Sequence, residues 1–294
     1  MRELVFRPLG MTRSGFDEAD GGPAASPHAT DFGGNTVSID PVIEGCLTAV
    51  APAGAAWSTV ADMAQYLLLE LGRGRLPSGE QLLPGEVLLE RRKRGIKITD
   101  KISYGLGLFL SDEDGLKVIH HGGNTWGFSA DMYFLPQEEL GVVLLTNLRL
   151  ANLFLAAARR KVFELLFDAP PRAEKMIAAA WQAEKEAASA RLTRVKVDAD
   201  SVKWLEGVLG EYQSNELGAL AVRRKDGQYW AYFESWGSAL GVEEQPDGSR
   251  GAVLTSPPWN GGAIAAGGAR LQVAEDGRAL VLDEGQTLYR FERQ

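Results

Sequence analysis

Between Tyr104 and Thr146 the apolar residues alternate or run continuously, and short polar turns interrupt them. Gly105 to Leu110 reads as one strand, Asp112-Glu113-Asp114-Gly115 as a turn, and Lys117 to His121 as a second strand. Phe128 to Leu135 is a third, Pro136-Gln137-Glu138-Glu139 turns the chain, and Leu140 to Thr146 is an apolar fourth. Connections this short do not cross over a sheet, so the strands are expected to run antiparallel in sequence order. The carboxylates at 112–114 lack the alternating oxygen ligands of a calcium loop and read as a solvated turn.

Helices flank that meander. Val60, Met63, Ala64, Leu67, Leu68 and Leu71 fall on one apolar stripe. Thr59 followed by Asp62 resembles a capping box, and Gly72 is a stop signal. Pro84 can open a second, shorter helix that ends in Arg91-Arg92-Lys93-Arg94, read as a solvated end that complements the helix dipole. Residues 151–167 and 173–192 have helical patterns on either side of the breaker Asp168-Ala169-Pro170-Pro171. Residues 1–57 carry turn signals at Pro8-Leu9-Gly10 and Gly21-Gly22-Pro23 and are expected to be mostly irregular.

After about Asp198 short apolar runs are separated by Asp226-Gly227, Asp247-Gly248, Asp276-Gly277 and Glu284-Gly285. This spacing suggests hairpins in a small all-β barrel or sandwich. Its aromatics, Tyr212, Tyr229, Trp230, Tyr232, Phe233, Trp236 and Trp259, are expected to pack rather than bind a ligand. The fold class is thus α+β: an antiparallel sheet with flanking helices over 1–167, a linker helix over 168–197 and the all-β domain over 198–294.

Composition excludes several functions. A net charge of −8 and a pI of about 5.1 argue against a nucleic-acid partner. One cysteine and three histidines leave no internal disulfide and no His/Cys metal spacing, and no cofactor is expected. Cys46 has no histidine nearby and reads as a packed or half-buried small residue. No run of about 18 apolar residues offers a membrane span. Nucleotide-binding glycine motifs are absent. The compartment is not readable.

Five segments resemble, in order, the serine β-lactamase-related family of class C β-lactamases, penicillin-binding-protein-like peptidases and esterases. They are Phe6-Arg7-Pro8-Leu9-Gly10-Met11-Thr12, Ala53-Gly54 with Trp57-Ser58-Thr59-Val60-Ala61-Asp62-Met63, Tyr104-Gly105-Leu106-Gly107, His121-Gly122-Gly123-Asn124-Thr125-Trp126-Gly127-Phe128, and Gly141 to Asn147. The resemblance covers residues 1 to about 167, with a weaker likeness of the region after 198 to a β-rich extension. It implies a partial β-lactamase/transpeptidase-like sheet. It places His121, Gly122 and Gly123 on the family's Lys/His-x-Gly motif, and Asn124 where a backbone N–H helps form an oxyanion hole. His121, Gly123 and Asn124 are the implied catalytic residues, and His120, Gly122 and Trp126 the implied substrate contacts. A register that starts the motif at His120 also fits; the spacing to Phe128 and Pro136 favours His121.

The chemistry suits these residue types. Acyl transfer builds negative charge on a carbonyl oxygen, and one backbone donor aimed at it is worth about 3 kcal/mol. Gly123, without a Cβ, lets a substrate backbone approach. An imidazole anchors a carboxylate more weakly than lysine does, which mildly favours esters, amides or peptides.

The resemblance also implies a nucleophile in Ser-x-x-Lys, and no serine here has lysine three residues on. The family's Tyr-x-Asn or Tyr-x-Ser should precede Pro8-Leu9-Gly10-Met11. Tyr212-Gln213-Ser214 fits that pattern but falls in the C-terminal domain. The chain therefore reads as the C-terminal part of a longer serine hydrolase, inactive alone. It would act on a small-molecule or peptide substrate once a complementing chain or segment supplies the serine. The alternative is a non-catalytic binding protein of the same fold.

Overall fold

The computed structural model describes residues 1–16, 23–244, 248–258, 270–283 and 287–294. Gly21, Gly22, Asp247, Glu284, Gly285 and Trp259 lie outside the described residues. The chain forms two compact units: 1–27 with 44–174, and 28–43 with 175–294.

The early residues are more ordered than their composition suggests. A π-helical turn spans Arg2–Phe6, and β1 (His28–Thr30) pairs with β2 (Thr36–Ser38). A 3-10 helix covers Pro41–Val50 and leads into the single turn α1 (Ala51–Gly54). Then come α2 (Val60–Leu71) and α3 (Gly85–Arg91). Thr59 caps α2 as the sequence requires, its Oγ1 accepting the Asp62 N–H at 3.2 Å.

Six antiparallel strands follow, adjacent in sequence order: β3 (Ile96–Lys97), β4 (Ile102–Tyr104), β5 (Phe109–Glu113), β6 (Leu116–Asn124), β7 (Ser129–Leu135) and β8 (Leu140–Thr146). Alternation along β6 sends Ile119 to one face and Val118 to the other. Ile119 joins Leu108 and Phe134 beneath Leu67 of α2. Val118 joins Tyr133 and Leu135 beneath Phe163 of α4 (Asn152–Leu166). Each face of the meander thus buries its apolar row under one helix.

Two buried carboxylates hold the surrounding chain. Asp62 Oδ2 accepts from the Arg13 N–H and the Ser14 hydroxyl, both at 2.8 Å, which ties the Arg13-Ser14 segment to the start of α2. Glu70, with no exposed surface, accepts from Tyr66 Oη and Arg91 Nη1 at 2.7 Å and from Arg92 Nη2 at 2.8 Å. This corrects the reading of Arg91 and Arg92 as a solvated helix end: both turn inward because Glu70 is sealed and needs cations. Burial, with Glu70 adding to it, pushes the Tyr66 phenol up to about 12. The carboxylates at 112–114 are likewise engaged rather than merely solvated. Asp112 pairs with Lys117, Glu113 with Arg159 and Asp114 with Arg160.

In the second unit, α5 (Ala173–Arg194) and β9 (Val195–Lys196) precede an eight-stranded antiparallel barrel. Its strands are β10 (Gly210–Ser214), β11 (Gly218–Lys225), β12 (Gln228–Phe233), β13 (Gly237–Glu244), β14 (Arg250–Leu254), β15 (Arg270–Val273), β16 (Ala279–Asp283) and β17 (Leu288–Arg293). Pairing of β12 with β13 closes it, and β9 adds to β13. Leu205, Leu220, Tyr229, Leu254, Leu271 and Phe291 fill the interior. Tyr212, Phe233 and Trp236 pack there as expected, whereas Trp230 and Tyr232 alternate outward and stack on each other at 5.9 Å. Tyr212-Gln213-Ser214 is part of β10, with the Tyr212 hydroxyl donating to the Val208 carbonyl, so it has a structural task.

Removing a buried ion's partners is far worse than never having had the ion. Glu70→Ala, which leaves Arg91 and Arg92 facing each other, is expected to destabilise the first unit by about 3–5 kcal/mol in urea unfolding. A loss below about 1 kcal/mol would show that the cluster is not an anchor.

Candidate active site

Strand β6 has a different neighbour on each side, and the two pairings stop at different places. β7 follows it to the end, with Gly123 opposite Ala130 and Asn124 opposite Ser129. β5 follows it only as far as Phe109 opposite His120. Before Phe109 the chain turns away: the Gly105 N–H donates to the Leu108 carbonyl at 2.8 Å, and Gly107 has φ +74°, a conformation that favours glycine. The sequence reading of Gly105–Leu110 as a continuous strand is corrected here, because Gly105-Leu106-Gly107 is the turn between β4 and β5. Among the described residues, His121 to Asn124 therefore have one edge with no strand against it.

Ladder phase decides which groups lie on that edge. In an antiparallel pair, successive residues turn their N–H and C=O groups to alternate sides. The Thr125 N–H donates to the Phe128 carbonyl at 2.9 Å across the turn into β7, so Thr125, Gly123 and His121 bond towards β7. The two-residue turn Asp114-Gly115 sets the same phase from the other end, with Leu116, Val118 and His120 bonding towards β5. Gly122 and Asn124 consequently direct their N–H groups to the open edge.

The glycines have separate tasks. A Cβ on Gly122 would come within 3.0 Å of the Ala130 carbonyl oxygen, so the pairing with β7 favours glycine there. A Cβ on Gly123 would meet nothing within 4 Å, so its bareness serves no packing. The Asn124 side chain is engaged: its Nδ2 donates to Asn152 Oδ1 at 2.9 Å, and its Oδ1 lies 2.6 Å from the Ser129 hydroxyl. The Ser129 hydroxyl also accepts the Ala151 N–H at 3.0 Å, so these residues fix the start of α4. The group Asn124 can offer a ligand is its backbone N–H.

The two histidines differ in setting. His120 Nε2 lies 2.8 Å from Ser111 Oγ, and its ring stacks on Phe109 at 5.3 Å. Burial, assisted by Arg159 and His121, holds its imidazole down at about 3, so it is neutral at pH 7. His121, half-buried at the start of the open edge, shares a 3.1 Å hydrogen bond between its Nε2 and the Tyr104 hydroxyl. Tyr104 escaped the sequence reading as a site residue, although it begins the Tyr104–Gly107 segment of the resemblance.

Trp126 lies in the turn that joins β6 to β7. Its indole N–H donates to Cys46 Sγ at 2.8 Å, and the Arg149 guanidinium lies 5.0 Å from its ring centre. The neighbouring Gly127 N–H donates to Glu44 Oε1 at 2.6 Å. Burial pushes the Glu44 carboxyl up, while the Gly127 N–H and Arg149 oppose the rise. Cys46 is exposed rather than packed, because the 3-10 helix presents it at this turn.

The Beta-lactamase family model matches residues 1–167. The chain belongs to the β-lactamase family. No curated protein matches this β-lactamase-family chain. It is similar to the octameric penicillin-binding protein homologue from Pyrococcus abyssi, with a TM-score of 0.42 and 19% identity over 99% of this chain and 58% of that one. It is also similar to the penicillin binding protein from Bacillus halodurans, with a TM-score of 0.43 and 22% identity over 55% and 48%. A D-stereospecific amidohydrolase from Streptomyces sp. gives a TM-score of 0.38 and 21% identity over 50% and 43%. The chain thus spans about half the length of each of these. Among its described residues no helix is long and apolar enough to cross a membrane.

The settings of His120 and Asp131 imply opposed pH dependences. Folded His120 refuses a proton that the unfolded chain takes up, so its stabilising share is lost as pH falls from about 6.5 towards 3. Asp131, raised by burial to about 6, gains stability as pH falls from about 6 to 4. The two nearly cancel between about pH 4 and 6. His120→Gln is expected to expose the Asp131 slope, its urea midpoint rising as the pH is lowered through that range. A midpoint that stays as flat as the parent chain's, or that falls with pH, would contradict these assignments.

Proposed function

We propose that the edge formed by His121, Gly122, Gly123 and Asn124 is the acyl-oxygen wall of a serine-hydrolase site, and that the attacking serine is supplied from outside these 294 residues. The observation that carries this reading is the unpaired edge, where the Asn124 N–H points outward beside a glycine with nothing over it. A carbonyl oxygen placed there would accept the Asn124 N–H as it becomes tetrahedral and negative. A fixed donor of this kind stabilises the transition state more than the ground state.

His121 and Tyr104 are the side chains at the start of this edge. Their hydrogen bond gives the imidazole one defined orientation, suited to receive a substrate polar group or to pass a proton towards the nucleophile. Trp126 and Arg149 supply an apolar face and a cation at the turn into β7. Substrates of the ester, amide or peptide class fit these groups. Residues 1–167 form the part that belongs to the hydrolase, 168–197 a connecting segment centred on α5, and 198–294 the barrel module. The complementing part is a Ser-x-x-Lys-bearing segment or chain. A purely non-catalytic binding role has less support, because an exposed glycine without packing contacts serves no evident purpose in it.

The chain alone is expected to leave chromogenic esters and a chromogenic β-lactam unhydrolysed and to show no acyl-serine adduct by mass spectrometry. Joined to a segment bearing Ser-x-x-Lys, it is expected to gain activity. Gly123→Val should then lower kcat/KM by about 100-fold, the scale of one lost oxyanion donor, with little change in thermal stability. An acylated serine on the isolated chain, or a Gly123→Val variant of undiminished activity, would overturn the proposal.

A further inference from the structure

Behind the open edge lies a group of polar side chains that the proposed function does not use. Asp131 of β7 is the register partner of Gly122, and its Oδ1 lies 3.6 Å from the place a Cβ on Gly122 would take. From α4, Arg159 brings Nη1 to 3.6 Å from Asp131 Oδ2 and Nη2 to 3.3 Å from Glu113 Oε1 of β5. The Asp131 and Arg159 side chains are only 10% and 14% exposed. Tyr133 is fully buried beside them with its ring 5.7 Å from the Arg159 guanidinium. Among the described residues neither the Tyr133 hydroxyl nor Arg159 Nη1 has a hydrogen-bond partner.

Native structures rarely leave such groups unmatched, and the exceptions call for a physical reason. Here β5, β7 and α4 are tied together by one guanidinium shared between two carboxylates. The tie sits directly behind the glycine whose N–H faces the open edge. Titratable groups stand near Asp131 on the packed elements: the charged Glu113 on β5 and Arg159 on α4, and the neutral Tyr133 on its own strand and His120 on β6. On β8 the facing residue is Leu144, which is apolar.

We propose that Asp131 is a positioning residue: its ionised carboxylate, held by Arg159, sets where the Gly122 to Asn124 edge lies, and protonation slackens that hold. The significance for acyl transfer rests on reading the edge as an acyl-oxygen wall. The displacement itself does not depend on that reading. The chemistry is a single proton exchange with solvent. An ionised Asp131 attracts Arg159 away from an equal sharing with Glu113; a neutral one leaves Arg159 to Glu113. Burial raises Asp131, Arg159 opposes the rise, and the balance stands at about 6.

The test is a pH titration of backbone amide shifts in the full-length 15N-labelled chain. It is made in a His121→Gln background, so that the neighbouring imidazole contributes nothing. Gly122, Gly123 and Asn124 are expected to move together with a midpoint near 6, and to become flat when Asp131→Asn is added. Arg159→Gln is expected to move the midpoint upward, because it removes the cation that favours the ionised form. This second variant decides the matter if Asp131→Asn fails to fold. Flat amides in the parent background, a titration that survives Asp131→Asn, or an unmoved midpoint in Arg159→Gln would overturn the proposal. The titration needs no ligand, so its failure is distinguishable from failure of the acyl-wall reading, which the Gly123→Val assay judges separately.

Discussion

The candidate site depends on one strand being paired on one side for longer than on the other. A β-strand can offer N–H groups to a ligand only where its neighbour has stopped. Here the Gly105-Leu106-Gly107 turn ends β5 at Phe109. β7 continues to Ser129 and keeps β6 straight as far as Asn124. The donors are thereby fixed by backbone pairing rather than by flexible side chains. Such donors need no reorganisation when charge develops opposite them.

That arrangement has to be held from both faces of the sheet. α2 covers one face through Leu67, and α4 covers the other through Phe163. Buried carboxylates keep the attachments in place: Asp62 joins the Arg13-Ser14 segment to the cap of α2, and Glu70 joins α2 to the end of α3. Buried charges of this kind do not add much net stability over apolar packing, but breaking them is severe. They act as specific fasteners. The Asn124-Ser129-Asn152 group does the same work without charge at the start of α4.

The elements were largely legible in the sequence, while the contacts that make the site were not. Val60–Leu71 shows a helical pattern and a cap, and the strand β8 an unbroken apolar run, so both elements are found close to where they are expected, although Val60 and Leu68 of the expected stripe are exposed and Leu69 is buried instead. The β5 boundary was missed because Gly105 to Leu110 alternates like a strand; only the positive φ of Gly107 shows that the chain turns there. Arg91 and Arg92 carry no mark in the sequence that distinguishes them from solvated charges, since their partner Glu70 lies in another helix. Asp131 and Arg159 were invisible for the same reason: a buried pair joins residues far apart in sequence, and neither belongs to a motif. His120 and His121 are adjacent in sequence yet differ in setting, one neutral against Ser111 and the other bonded to Tyr104. Cys46 looked packed because nothing in its local sequence reveals that a 3-10 helix presents it outward.

Amide hydrogen exchange along β6 tests the central claim most directly. Residues bonded towards β7 are protected by the ladder, whereas those facing an empty edge exchange with water. Gly122 and Asn124 are expected to exchange at least about 100-fold faster than His121 and Gly123, the scale of a local opening energy of about 2.7 kcal/mol. Equal protection at all four amides would mean that something pairs with the edge, and no acyl oxygen could then be received there.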